Sequence, residues 1–389
     1  MTPLLVEFIP GIETVGSAEW NRLAADGEPF LRYEFLHALE ASGSVSAQTG
    51  WQPFHITVRS ADKTLLAVMP LYIKDNSYGE YVFDWSWAHA YSRNGLDYYP
   101  KLMSSVPFTP ATGSRLLVDA HGDKKAISAA IFTAVKKLAK KIDASSWHIL
   151  FPDNQECENW KNTGMITRLG CQFHWFNDGF TSFDDFLRSF AARKRKRLKR
   201  ERRRVQEQEI KLTSYTGAEI SEALWEAFYE FYQFTYYKRG QHGYLNKDFF
   251  LRIAACMPEN LVMVMATLHG KPVGSALCFK NDTTLFGRYW GCREEYDSLH
   301  FEACYYQGID YCIAHGLQRF DPGAQGEHKI QRGFIPVKTW SSHWIAHPEF
   351  SDAIARFLRD ETRGMESYRR EACALLPFNA QFGETSALK

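Results

Sequence analysis

Residues 261–320 constrain the fold more tightly than any other stretch. Leu261–Thr267, the turn His269-Gly270-Lys271-Pro272, Val273–Phe279, the turn Asn281-Asp282 and Thr283–Trp290 form three β-rich runs joined by tight turns. Such spacing predicts a three-strand antiparallel meander. A helical pattern follows from about Ser298 to His315 and stops at Gly316, where a helix closes readily with a left-handed residue. Leu317–Phe320 then predicts a further strand.

The first half runs in the same order. Residues 17–24 and 33–41 read as helices, and Pro53–Arg59 with Leu65–Tyr72 predict a hairpin around Ser60–Lys63. An aromatic-rich loop is expected from Tyr78 to Tyr99, a helix over 123–141 and a strand at Trp147–Phe151. No residue-level repeat accompanies the parallel, so duplication rests on element order alone. The expectation is an α+β chain of two tandem domains, 1–172 and 173–389, each a mostly antiparallel sheet flanked by helices.

Composition suits this reading. A length of 389 residues with 45% hydrophobic content supplies two full cores. The 46 Lys and Arg nearly cancel 45 Asp and Glu, so any attraction to a polyanion must be local. Eight cysteines lie scattered without zinc-like or C-x-x-C spacing, which reads as reduced core thiols and no metal site. No window approaches the roughly 18–20 apolar residues of a membrane span, and the N-terminus lacks a signal-peptide pattern. A cytoplasmic protein without a transmembrane segment is expected.

Two segments carry the chemistry. Arg319-Phe320-Asp321-Pro322-Gly323-Ala324-Gln325-Gly326-Glu327-His328-Lys329-Ile330-Gln331-Arg332-Gly333-Phe334 crowds glycines, an imidazole and cations behind a strand. Its bland reading is a tight loop with exposed charges. Arg193–Arg204 places ten cations in twelve residues, on a helix expected over 183–209 at the entry to the second domain. Either this is a solvated helix face or it is an anion site for phosphates.

Tyr98-Tyr99-Pro100-Lys101, Val106–Leu117, Leu299–Gln307, Gly323–Lys329 and Arg332-Gly333-Phe334 together resemble the FemAB-like bacterial family of peptidoglycan biosynthesis and recognition proteins. The likeness spans nearly the whole chain and implies two tandem GNAT-like domains. It also implies transfer of an acyl or aminoacyl group to an amine, such as that of a peptidoglycan precursor. Arg197–Arg202 resembles the basic entry helix of the wider Fem ligases, and Lys329–Phe334 their cation-rich turn. Gly291–Ser298 departs from the pyrophosphate loop of simple acetyltransferases, having one glycine and several acids. No tightly bound cofactor is expected, and the acyl donor is left between aminoacyl-tRNA and acyl-CoA. An anionic small-molecule or lipid-linked precursor is the expected partner, with tRNA as a further candidate.

Amide formation needs a proton acceptor and donors facing the carbonyl oxygen. Glu302 and His328 are the catalytic candidates; Glu302 shares a helix face with Tyr305, Tyr306, Ile309 and Ile313, so burial would raise its pKa. The alternative is a Glu302 paired with a cation such as Arg288 or Lys329. Substrate-binding candidates are Arg288, Tyr289, Gln325, Glu327, Lys329, Arg332, Arg197 and Arg200. The rival to an enzyme is a noncatalytic module of the same fold that recognises a cell-wall fragment or RNA.

Overall fold

The computed structural model describes residues 4–380, except 25, 26 and 325, together with 382. The chain divides into two compact units, one formed by 1–170 with 338–367 and the other by 171–337 with 368–389. The expected boundary after 172 therefore misses one feature. Residues 338–367 return to the first unit because a late strand pairs with an early one.

The first unit begins with β1 (Leu5–Ile9), α1 (Ser17–Leu23), α2 (Tyr33–Ala41), β2 (Trp51–Pro53), β3 (His55–Arg59), β4 (Leu65–Met69) and β5 (Tyr72–Lys74). It continues with α3 (Trp85–Arg93), β6 (Lys101–Ser104), β7 (Leu117–Val118), α4 (Lys124–Ile142), β8 (Ser146–Leu150) and α5 (Asn154–Lys161). Strands β1-β3-β4-β7 make one antiparallel sheet, and β8-β6-β5-β2 lie in order in a second. Ser341–Ile345 pairs antiparallel with β8, which is the late strand that completes this sheet. The expected loop at 78–99 contains α3, because Trp87 and Tyr91, one turn apart, both bury.

The chain passes to the second unit within β9 (Ile166–Phe176) and continues as α6 (Phe183–Arg188), α7 (Ala192–Glu207), β10 (Ile210–Thr216), α8 (Glu222–Tyr237) and α9 (Lys247–Cys256). The meander comes next as β11 (Leu261–Leu268), β12 (Lys271–Lys280) and β13 (Thr284–Cys292). After it stand α10 (Leu299–Phe301), a π-helical turn at Glu302–Tyr306, α11 (Gln307–Ala314) and β14 (Arg319–Asp321). A 3-10 turn at Glu327–Arg332 precedes β15 (Ile335–Ile345), and α12 (Pro348–Ala374) closes the chain. Strand order in this unit is β10-β11-β12-β13-β14-β9, antiparallel except for β13 against β14.

The helix expected over 183–209 is two helices. Ser189 Oγ donates to Phe186 O at 2.6 Å, and the backbone at Ser189–Ala191 bonds to residues 377 and 379, so Phe190 enters the core and the helix breaks. α7 then buries Leu198, Glu201 and Val205, one stripe of its surface, and turns its remaining face outward.

Candidate active site and basic groove

The site lies where two strands part. β13 and β14 pair at Thr284–Phe286 against Arg319–Asp321; β14 then stops while β13 runs on to Cys292. Beyond the last pair, Arg288 reaches back to Asp321, donating from Nη2 to Oδ2 at 2.8 Å with both side chains buried. Burial alone would raise the Asp321 carboxyl; the Arg288 guanidinium outweighs it and holds it well below the usual carboxylate range. His174 sits 3.6 Å from the same carboxylate, and burial pushes its pKa down to about 4.

Lys329 is also buried, but it faces its own loop. Its Nζ donates to the carbonyls of Gly323 at 2.8 Å, Ala324 at 3.4 Å and Pro322 at 3.5 Å, and burial lowers its pKa to about 8. The ammonium pins the 322–324 backbone and presents no charge at the surface, which corrects its assignment as a substrate cation. Tyr289 packs on Tyr232, Phe250 and Phe279 and is core. Glu327 is exposed and accepts from Tyr368 Oη at 2.9 Å. Gln325 lies outside the described residues.

Glu302 is buried, as its helix face required, yet its partner is neither Arg288 nor Lys329. Arg202 on α7 donates to Oε1 at 2.9 Å and Oε2 at 3.2 Å, and Gln307 Nε2 donates to Oε1 at 2.8 Å. Arg202 also reaches Asp310 at 2.6 Å. Both carboxylate oxygens are thus taken up by a guanidinium, and the geometry makes Glu302 the anchor of α7 to the π-helical turn.

That turn also projects Tyr305 and Tyr306. A π-helical turn adds a residue to the helical circuit and re-aims the side chains beyond it. Tyr305 Oη lies 2.8 Å from His328 Nε2, and the exposed His328 ring sits among His300 and Phe301. Burial, then Arg332 and Lys329, lower the His328 pKa, keeping the imidazole neutral at neutral pH. Arg332 is buried: its guanidinium lies 3.4 Å from the Phe301 ring centroid, Nη1 donates to His328 O at 2.8 Å and Nη2 to Glu201 Oε2 at 2.9 Å. Tyr306 donates to the same Glu201 oxygen, and Arg197 Nε donates to Oε1 at 3.1 Å. Arg332, expected to bind substrate, is instead buried as a pillar under His328.

Along α7 runs an open groove of about 1210 Å³, lined by the cations of residues 193–204 together with Asp297, Ser298 and Phe301. Lys199 pairs with Asp184, Arg203 with Glu207 and Arg204 with Asp297. Among the described residues, Arg193, Arg195, Lys196 and Arg200 have no acidic partner. The first turn of α7 contains no acid and Ala191 makes no side-chain cap, so helix dipole and side chains are positive together. The groove reaches Phe301, the ring on which Arg332 and His328 rest.

Glu201, Arg202, Tyr305 and Tyr306 carry the site without having been singled out from the sequence. One signal was present: Glu201 is the single acid in the run 193–204, three residues after Leu198 and four before Val205 on the inward stripe.

Two units of this element order, the second with a parted strand pair beside a basic helix, make up a tandem GNAT-like fold. The chain belongs to the FemAB-like family, described as peptidoglycan biosynthesis/recognition, whose pattern matches residues 11–380. Its fold is similar to that of FemX, with 13% identity, a TM-score of 0.54, and 87% of this chain and 98% of that one covered. It is also similar to the C-terminal DUF2156 domain of an Agrobacterium fabrum protein named as a lysylphosphatidylglycerol synthetase, with 8% identity, a TM-score of 0.54, and coverage of 89% and 96%. No curated protein matches the chain. Family and fold together make it a transferase of the acyl or aminoacyl kind. No helix among the described residues is long and apolar enough to cross a membrane.

Proposed function

We propose that the chain moves an aminoacyl group from a charged tRNA to an amine of a peptidoglycan precursor. The observation that carries the choice of donor is the groove of unpaired cations on α7, which ends at Phe301 beside His328. Arg193, Lys196 and Arg200 stand three and four residues apart, about 4.5–6 Å along the helix, a spacing suited to successive backbone phosphates. A polyanion gains more from such a row than a single pyrophosphate does, so tRNA is favoured over acyl-CoA.

In this reading the acceptor amine attacks the ester carbonyl, a C–N bond forms, and the C–O bond to the ribose breaks. In the tautomer whose Nε2–H donates to Tyr305, His328 Nδ1 takes the proton from the attacking nitrogen and returns it to the leaving ribose oxygen. Arg288 and Asp321 hold the parted strands, and Arg202, Glu302 and Arg332 fix α7 and His328 against each other.

The test is amide formation from a pool of aminoacyl-tRNA and an amine-bearing muropeptide. Transfer by the wild type that falls at least about 100-fold in His328→Ala supports the reading. Transfer from acyl-CoA but not from aminoacyl-tRNA overturns the donor. Ligand binding without transfer, unchanged in His328→Ala, makes the chain a recognition module.

A further inference from the structure

We propose that Gln331 is a positioning residue, through which the segment 375–379 holds the His328 turn against the first turn of α7. The role rests on the reaction proposed above, but the geometry it sets is measurable without any substrate. Gln331 stands three residues after His328 in the 3-10 turn Glu327–Arg332. Three residues complete one 3-10 turn, so the two side chains leave the same edge of the backbone and move together.

Both ends of the Gln331 amide are taken, each by a different element. Nε2 donates to Leu375 O at 3.1 Å, while Oε1 accepts from Lys194 Nζ. Lys194 belongs to the cation run and lines the groove, so one neutral amide joins the groove, the turn and the chain beyond α12. Such an acceptor fixes the ammonium without cancelling its charge, as a carboxylate would. Glu201 and Arg202 hold α7 two turns further along; Gln331 reaches its first turn.

The chain beyond α12 also supplies what α7 lacks locally. Arg193, Lys194 and Arg195 crowd the first turn, where the helix dipole disfavours cations, and the Ala191 side chain caps nothing. Pro377 O accepts from Ala191 N at 2.9 Å, and Asn379 donates from its backbone to Ser189 O at 2.8 Å and from Nδ2 to Arg188 O at 3.0 Å. Phe378 packs edge-on against Phe190, with ring centroids 5.4 Å apart. Phe190 also meets Gly333, which closes the His328 turn at φ +83° and where a Cβ would lie 2.9 Å from the ring. The start of the helix and the end of the turn are thus seated together, and Gln331 is the side chain that spans them.

The experiment compares the intact wild type with Gln331→Met, Gln331→Glu and Phe378→Ala by amide exchange and by NMR titration of His328. Gln331→Met keeps the length of the side chain and removes both hydrogen bonds. It is expected to speed exchange about tenfold across both 192–196 and 327–333, with β11, β12 and β13 unchanged. The His328 titration, which burial, Arg332 and Lys329 hold low, should move up toward the ordinary imidazole value. Phe378→Ala should reproduce both effects from the other end of the strap, and Gln331→Glu, which keeps the Lys194 contact, should restore slow exchange at 192–196. In the transfer assay Gln331→Met should lower kcat about tenfold and leave KM for the charged tRNA unchanged. A wild type inert in that assay overturns the reaction and leaves the exchange and titration results standing, so the two failures are distinct. Exchange that rises uniformly through the second unit marks a merely structural residue and overturns the proposal. So does a wild-type His328 titration in Gln331→Met.

Discussion

Arg332 and Glu201, 131 residues apart in sequence, meet at 2.9 Å with both side chains nearly excluded from solvent. The pair joins the basic helix to the turn that bears His328. Removing one partner leaves a buried charge uncompensated, so Glu201→Gln is expected to cost about 3–5 kcal/mol, read as a lowered urea midpoint. Replacing both, as Glu201→Leu with Arg332→Met, should recover part of that loss. A single variant as stable as wild type would show the pair to be dispensable for folding.

The four unpaired cations of α7 bear on binding and not on stability. Arg193, Arg195, Lys196 and Arg200 changed together to Gln should leave the melting temperature within about 2 °C, since surface charges contribute little. Binding of tRNA should weaken, and the slope of log affinity against log salt should flatten by about 0.7 for each phosphate no longer neutralised. An unaltered slope would mean that the groove holds no polyanion.

His328 sets a pH limit. Its folded pKa is lowered, so the neutral, proton-accepting form persists below the ordinary value of about 6.5. The acid limb of kcat/KM for transfer is therefore expected below about pH 6.5 and to vanish in His328→Gln. An acid limb above pH 7 would point to another base.

Acid should also unfold the protein early. Burial lowers His148 to about 3 and His174 and His300 to about 4, and His343, 2.7 Å from His148 between Nδ1 atoms, is held well below the ordinary imidazole value. Below about pH 6.5 the unfolded chain takes up these protons and the folded chain does not, so stability falls with pH. Glu80 and Glu156, raised by burial to about 7, act in the opposite direction. The net of about two protons gives a loss near 3 kcal/mol per pH unit around pH 5.5, measurable as the urea midpoint at pH 7.5 and pH 5. Equal midpoints would refute this assignment of protons.

The fold was largely legible in the sequence because periodicity is local. Leu261–Trp290 alternates with turns at the right spacing, and β11, β12 and β13 track it almost residue for residue. The inward face of Glu302 was legible for the same reason. Its partner was not, since Arg202 is a hundred residues away and one of ten cations in the run. Lys329 and Arg332 read as surface charges from their neighbours, yet carbonyls and Glu201 draw both inward. The break at Ser189–Ala191 depends on residues 377–379, beyond the reach of any local pattern.

The pairing of Ser341–Ile345 with β8 has a consequence for synthesis of the protein. When β8 leaves the ribosome its neighbour does not yet exist, and the whole 171–337 segment must be translated first. At about 5–20 residues per second that is roughly 10–30 s during which β8 stands as an open edge. A nascent chain arrested near residue 172 should accordingly be held by chaperones and cut readily by protease, and the first unit should gain resistance after residue 345 has emerged.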